Sequence, residues 1–410
     1  MVTLINNGRV ITGGEVHEAD VYINDGVIGA LVARGPIGGT DCTGVDCDSG
    51  TAALPGSDHA LNADRVLDAS GLFVSAGFID IHVHGGGGYD FMDGGVSPIV
   101  NAARLHLAHG TTTLYPTSVC APPDQTLRFL EDVAQARQLT EAMPHIPGAH
   151  LEGPYLCKRQ CGALNPDLIV PFDPAEYERL ARKSCGLIKR WSFAPELPGA
   201  DAFLRFAKAN GIIPSIAHSD AVYADVERAR GLGCNLMTHF YSGMSLLTRE
   251  KGYRRLGVVE SGYLLDDMIV EVICDGKHLP PELLRLIHKV KGTDRICLVT
   301  DAMRAAGTDA AGRISGLADG SSVIIEDGVA KTPDRESFAG SIATADRLVR
   351  TANKAMGVTL PEAVKMMTQT PARVMRLEKK GSIQSGFDAD LVLFDQDINI
   401  KRVFVGGLEV

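Results

Sequence analysis

The sequence predicts an α/β protein: a (βα)8 TIM barrel with a small β-sandwich domain built from the N- and C-terminal segments. Three observations predict it. From Gly77 onward, short apolar runs of strand length alternate with helical patterns eight times over. Both chain ends read instead as short strands broken by turns. Histidine or a carboxylate follows several of the apolar runs, and a barrel gathers its strand ends on one face.

At the N-terminus, Val2–Ile5, Arg9–Thr12, Val21–Ile23 and Val27–Val32 are strand-like, and Asp25-Gly26 signals a hairpin. Residues 33–64 are rich in Gly, Asp, Thr and Ala without a period, and are expected to form an inserted loop. Strand text resumes at Arg65–Asp68 and Leu72–Val74. The barrel strands are expected at Phe78–His84, Thr111–Pro116, His150–Gly153, Trp191–Ala194, Ile213–His218, Leu236–His239, Ile269–Cys274 and Ile296–Thr300. Among the intervening helices, one is expected to start with Ser97 as N-cap and Pro98 in its first turn. Another opens with the capping box Thr359-Leu360-Pro361-Glu362. Asp390–Phe394 and Val403–Val405 return to strands able to pair with the N-terminal ones. The division that follows is 1–75 with 374–410 for the β domain and 76–373 for the barrel.

Composition narrows the function classes. Of 410 residues, 45% are hydrophobic and 22% charged, an ordinary globular balance. A net charge of −10 argues against nucleic acid as partner and means that an anionic substrate needs a local basic cluster. No apolar window is long enough to span a membrane, and the first residues lack the cationic start and apolar run of a signal peptide. Nine scattered cysteines fit a reducing, cytoplasmic setting, with Cys42, Cys47, Cys157 and Cys161 expected as free thiols.

In Phe78-Ile79-Asp80-Ile81-His82-Val83-His84, strand alternation points His82 and His84 the same way, half of a metal site. The remaining donors follow at later strand ends: Glu152, His218, His239 and Asp301. Any one alone reads as a hydrogen-bonded polar residue at a barrel mouth. Six at one end of one barrel point to a cation.

These motifs, with Leu151-Glu152-Gly153-Pro154, Asp275-Gly276-Lys277-His278, Val299-Thr300-Asp301-Ala302 and Ala339-Gly340-Ser341, resemble the N-acetylglucosamine-6-phosphate deacetylases of the amidohydrolase superfamily. The resemblance implies one or two divalent metals per chain, Zn2+ before Fe2+, Mn2+ or Co2+. Glu152, His218 and His239 would hold the principal one and His82 and His84 a second, with Asp301 beside them as acid/base. His278 would polarise the acetamide carbonyl. Substrate contacts are expected from Ala163, Leu164, Ser242, Gly243, Asp275, His278, Phe338, Ala339 and Gly340. Arg249 would reach the substrate phosphate in the neighbouring subunit of a homodimer. The expected substrate is a phosphorylated amino sugar.

The chain departs from the family pattern at three positions. Leu164 stands where a sugar-contacting histidine is usual, and Ser242-Gly243 where Asn-Ala is usual. Those departures keep open a different N-acylated amino sugar or another small amide. The fourth strand, ending Trp191–Glu196, offers no lysine to bridge two metals. A non-catalytic scaffold is the remaining alternative, and the presence of all six donors argues against it.

Overall fold

The computed structural model describes residues 1–34, 63–139, 142–315 and 321–410. Eight parallel strands pair in chain order: β1 (Phe78–Val83), β2 (Thr111–Ser118), β3 (Ala149–Glu152), β4 (Ile188–Phe193), β5 (Ile213–Ile216), β6 (Leu236–Met237), β7 (Ile269–Val272) and β8 (Ile296–Leu298). The seam between β8 and β1 is joined where the Asp301 N–H donates to the His82 carbonyl at 2.9 Å and the His84 N–H to the Ala302 carbonyl at 2.9 Å. The eight runs expected from sequence are therefore the eight barrel strands. Phe78, Trp191 and Val270 of these strands pack with helix residues such as Phe203 in one large cluster, while Ile79, Ile81, Tyr115, Ile213 and Ile269 form a separate one.

A nine-stranded sheet joins the chain ends. Leu391–Phe394 pairs antiparallel with Phe73–Ala76, and Ile400–Val405 pairs with Leu391–Phe394. The ten-residue strand Glu15–Asn24 pairs with Arg9–Thr12 through its first half and with Val2–Asn6 through its second. It thus passes from one half of the sheet to the other, around a separate core of Val10, Val21, Val74, Leu391 and Phe404. At the Asp25-Gly26 hairpin both residues have positive φ, 46° and 84°, as a two-residue turn between twisted strands requires.

Some expectations need correction. The first barrel helix runs Val96–Ala108 with Gly95, not Ser97, as N-cap. Gly95 takes φ 82° there, and its N–H is held by Asp132 at 2.7 Å. Ala33 ends strand Val27–Ala33 instead of opening a loop, while 35–62, with Cys42 and Cys47, lie outside the described residues. The capping box at Thr359 forms, Glu362 accepting from the Thr359 N–H at 2.8 Å. Cys157 and Cys161 are free thiols. Two additions had no sequence reading: an exposed hairpin of Thr248–Glu250 with Tyr253–Arg255, and a three-stranded sheet of Gly312–Ser315, Ser322–Glu326 and Val329–Lys331.

Candidate active site

The donors converge because each sits where its strand gives way to a loop on the same barrel face. His82 lies on β1 and His84 just past it, Glu152 ends β3, and His218, His239 and Asp301 follow β5, β6 and β8. Three of them take left-handed backbone conformations, His218 at φ 43°, His239 at 29° and Asp301 at 46°. That geometry costs about 1–3 kcal/mol per residue and persists only where surroundings enforce it.

Glu152 is the hub. Its Oε1 lies 2.8 Å from His239 Nε2 and 3.2 Å from His218 Nε2. Its Oε2 lies 3.2 Å from His84 Nε2 and 3.5 Å from His82 Nε2. Asp301 Oδ1 closes the second set, 3.2 Å from His84 Nε2 and 3.4 Å from His82 Nε2. Two triads result, Glu152–His218–His239 and His82–His84–Asp301, each with donor atoms within 4.8 Å of one another.

This donor set fits divalent cations. His218 Nδ1 faces the Gln160 carbonyl at 2.7 Å and His84 Nδ1 the Thr117 carbonyl at 3.2 Å. A carbonyl only accepts, so Nδ1 carries the proton and Nε2 turns a lone pair into the cluster. His82 Nε2 and His84 Nε2 stand 3.1 Å apart, a distance that two facing lone pairs tolerate only with positive charge between or beside them. Without a cation, protons play that part. Burial alone would lower the His82 pKa, but Glu152 and Asp301 carry it up to about 9. Burial likewise opposes ionisation of Asp301, and the imidazoles of His82 and His84 outweigh it, holding the carboxyl at about 2.

The cluster floors a cavity of ≈ 310 Å³. Ala163, Leu164, Ser242, Gly243, His278, Phe338, Ala339 and Gly340 line it. His82 lies beneath the surface, fully buried. Asp275 stands behind His278, accepting from its Nδ1 at 2.9 Å and from its backbone N–H at 2.9 Å. Arg249 does not reach this cavity and sits on the exposed hairpin.

Sequence reasoning missed several residues. Val119, Tyr241, Leu279, Met303 and Ser337 also line the cavity, with no pattern to announce them. Glu271 lies buried under the cluster, and its charge within the apolar run Ile269–Cys274 was the available signal. His150, on the same face of β3 as Glu152, is a buried structural histidine. Its ring nitrogens pair with Thr117 Oγ1 at 3.2 Å and Ser192 Oγ at 2.7 Å.

A parallel barrel with two nested carboxylate–imidazole triads at its C-terminal face defines a metal-dependent hydrolase site. The chain belongs to the amidohydrolase family, whose model matches residues 73–410. It is 31% identical over 354 residues to the N-acetylglucosamine-6-phosphate deacetylase of Lysinibacillus sphaericus, covering 85% of this chain and 88% of that one. It is also 31% identical over 331 residues to the N-acetylgalactosamine-6-phosphate deacetylase of Escherichia coli O157:H7, covering 80% and 85%. The crystal structure of N-acetylglucosamine-6-phosphate deacetylase from Pasteurella multocida superposes with a TM-score of 0.86 at 26% identity, covering all of both chains.

Proposed function

We propose that this chain hydrolyses the acetamide of N-acetyl-D-glucosamine 6-phosphate to D-glucosamine 6-phosphate and acetate, in amino-sugar catabolism. The observation that carries the reading is the Glu152 carboxylate set between two imidazole pairs, with Asp301 on the cavity side. Glu152, His218 and His239 would hold the principal cation, and His82 and His84 a second. Zinc is the first candidate, with Fe2+, Mn2+ and Co2+ behind it. A divalent ion bound there supplies Lewis acidity and acidifies water toward neutral pH.

Asp301, ionised in this surrounding, takes the proton of the attacking water. It then returns that proton to the amine nitrogen, which cannot depart as an amide anion. His278, fixed through Nδ1 by Asp275, offers Nε2 to the acyl oxygen. Among the described residues, those lining the cavity include no lysine or arginine, so the phosphate needs a cation from elsewhere. Arg249 of a second copy in a homodimer fills that need, and its position on an exposed hairpin supports the reading. A cytoplasmic site of action agrees with the scattered free thiols. Among the described residues, no helix is long and apolar enough to cross a membrane. The separate apolar cores support the division into residues 1–75 with 374–410 and residues 76–373.

A second reading keeps the chemistry and exchanges the sugar. A relative named for galactosamine and one named for glucosamine are both 31% identical to this chain, and Leu164 places an apolar side chain in the cavity wall. Acetate release decides between them, measured on both N-acetylhexosamine 6-phosphates and on N-acetylglucosamine itself, with bound metal per chain. Preference for the gluco phosphate supports the first reading and preference for the galacto phosphate the second. Activity on none of them, with metal bound, refutes both.

A further inference from the structure

Below the six donors, the barrel interior holds a buried ion pair that no catalytic step uses. Arg190 on β4 and Glu271 on β7 are both fully buried. NH1 of Arg190 pairs with Glu271 Oε1 while donating to the Ile81 carbonyl at 2.9 Å. Its Nε reaches Ser215 Oγ at 3.1 Å and its NH2 reaches Thr238 Oγ1 at 2.8 Å. Ile81 and Thr238 are the residues immediately before His82 and His239. The other oxygen of Glu271 faces those histidines directly. Oε2 accepts the backbone N–H of His239 at 3.2 Å and lies 3.4 Å from His82 Nδ1.

We infer that Arg190 and Glu271 form a positioning pair that sets the metal affinity of both triads at once. The inference rests on reading the cluster as a metal site. Glu271 draws the His82 proton to Nδ1, which leaves Nε2 free as a donor to a cation. The same oxygen anchors the N–H of His239, whose φ of 29° needs an external restraint. Arg190 pairs with the other oxygen, Oε1, which fixes the orientation of the carboxylate, and it ties down the two preceding residues. A guanidinium suits this task because its planar fork reaches β1, β5, β7 and the turn after β6 together. One group thus touches a ligand from each triad, so the two sites are not independently tunable from below.

The test is a chelator-buffered Zn2+ titration of the full chain, with melting of the metal-free protein alongside. Glu271→Gln keeps the shape but cannot serve both sides: with its oxygen toward His82 and His239 its NH2 meets the Arg190 guanidinium, and with the amide turned round the NH2 meets the two histidine N–H groups. Zinc affinity is expected to fall roughly 10- to 100-fold. Glu271→Gln also breaks a buried ion pair and lowers the melting temperature, so a second variant separates the two effects. The double substitution Arg190→Met/Glu271→Met removes both charges and is expected to recover thermal stability. Its zinc affinity should nevertheless stay low, because the acceptor for His82 and His239 is gone. Unchanged zinc affinity in either folded variant overturns the inference, as does recovery of affinity together with stability in the double variant. Because no substrate enters the titration, the positioning role and the proposed deacetylation can fail separately.

Discussion

Gly243 gives the sharpest handle on the site. It stands where relatives of this kind usually carry alanine, and restoring that alanine should damage the enzyme. Its φ is +57°, and a Cβ there would lie 2.6 Å from His218 Nδ1 and 2.8 Å from the Gln160 carbonyl oxygen. Those two atoms form the 2.7 Å hydrogen bond that fixes the His218 tautomer. Gly243→Ala therefore pays about 1–2 kcal/mol for the left-handed backbone. It also displaces a hydrogen bond worth about 0.5–1.5 kcal/mol. The backbone part lowers stability, whereas the lost partner of His218 weakens metal binding by roughly tenfold or more. Gly13→Ala is the control: φ is +61° with no atom within 4 Å of the added carbon, so it carries the strain without the collision. Zinc titration and thermal melting of both variants separate the terms. If Gly243→Ala binds zinc as tightly as Gly13→Ala, the hydrogen bond to Gln160 is not what orients His218.

Other outcomes follow from the same geometry. Asp301→Asn should lower kcat at least about 100-fold while the Glu152–His218–His239 site keeps its metal, read by acetate release beside metal analysis. Normal turnover would remove Asp301 from the chemistry. Arg249→Ala should reduce kcat/KM for the 6-phosphate and leave the unphosphorylated sugar unaffected. Mixing it with Asp301→Asn should restore activity if subunits exchange, since one hybrid site is then intact. Asp346 adds a pH signature. Burial opposes its ionisation, but the bond from His109 at 3.1 Å and that from Thr344 at 2.6 Å lower its pKa below 3.8. A depressed carboxylate stabilises above its unfolded pKa, and the gain is lost as pH falls through the folded value. Asp346→Asn should thus melt lower than the parent at neutral pH and converge with it below 3.8, followed by melting temperature against pH. A constant gap would contradict the ionised role.

The barrel was legible because its strands are buried on both faces and read as largely apolar runs, Ile296–Leu298 among them. The six donors were legible for the same reason, since a histidine or carboxylate closing such a run stands out. Arg190 and Glu271 break their strands just as visibly, yet a charge inside a strand does not announce its partner. Only the closed barrel brings β4 and β7 to one axis. The Ser97 cap failed because the helix start is set by a tertiary contact, Asp132 on the Gly95 N–H, that no local pattern encodes. The Thr248–Arg255 hairpin was missed for a related reason: its side chains are exposed, so no apolar alternation marks it.

The substitution at Leu164 bears on how selective the enzyme can be. Leu164 packs with Cys120, Leu156, Ile169 and Ala217 in a small apolar cluster beside the cavity. It therefore seals the wall and offers the sugar no hydrogen bond, leaving the hydroxyls of Tyr241, Ser242 and Ser337 and the backbone as polar partners of that kind among the described residues. A wall that excludes by shape discriminates between hydroxyl epimers by roughly 100-fold at most, whereas a buried hydrogen-bonding residue reaches far higher ratios. The acetamide is a different matter, because under the proposed mechanism its carbonyl and nitrogen would meet His278, Asp301 and the Glu152 cluster, all of which line the cavity. Selection in this chain should thus be strict for the acyl-nitrogen group and the phosphate and loose for the sugar ring between them. Leu164→His tests this directly: a hydrogen-bonding wall should widen the ratio of kcat/KM between the gluco and galacto phosphates. An unchanged ratio would mean that the ring is read from elsewhere.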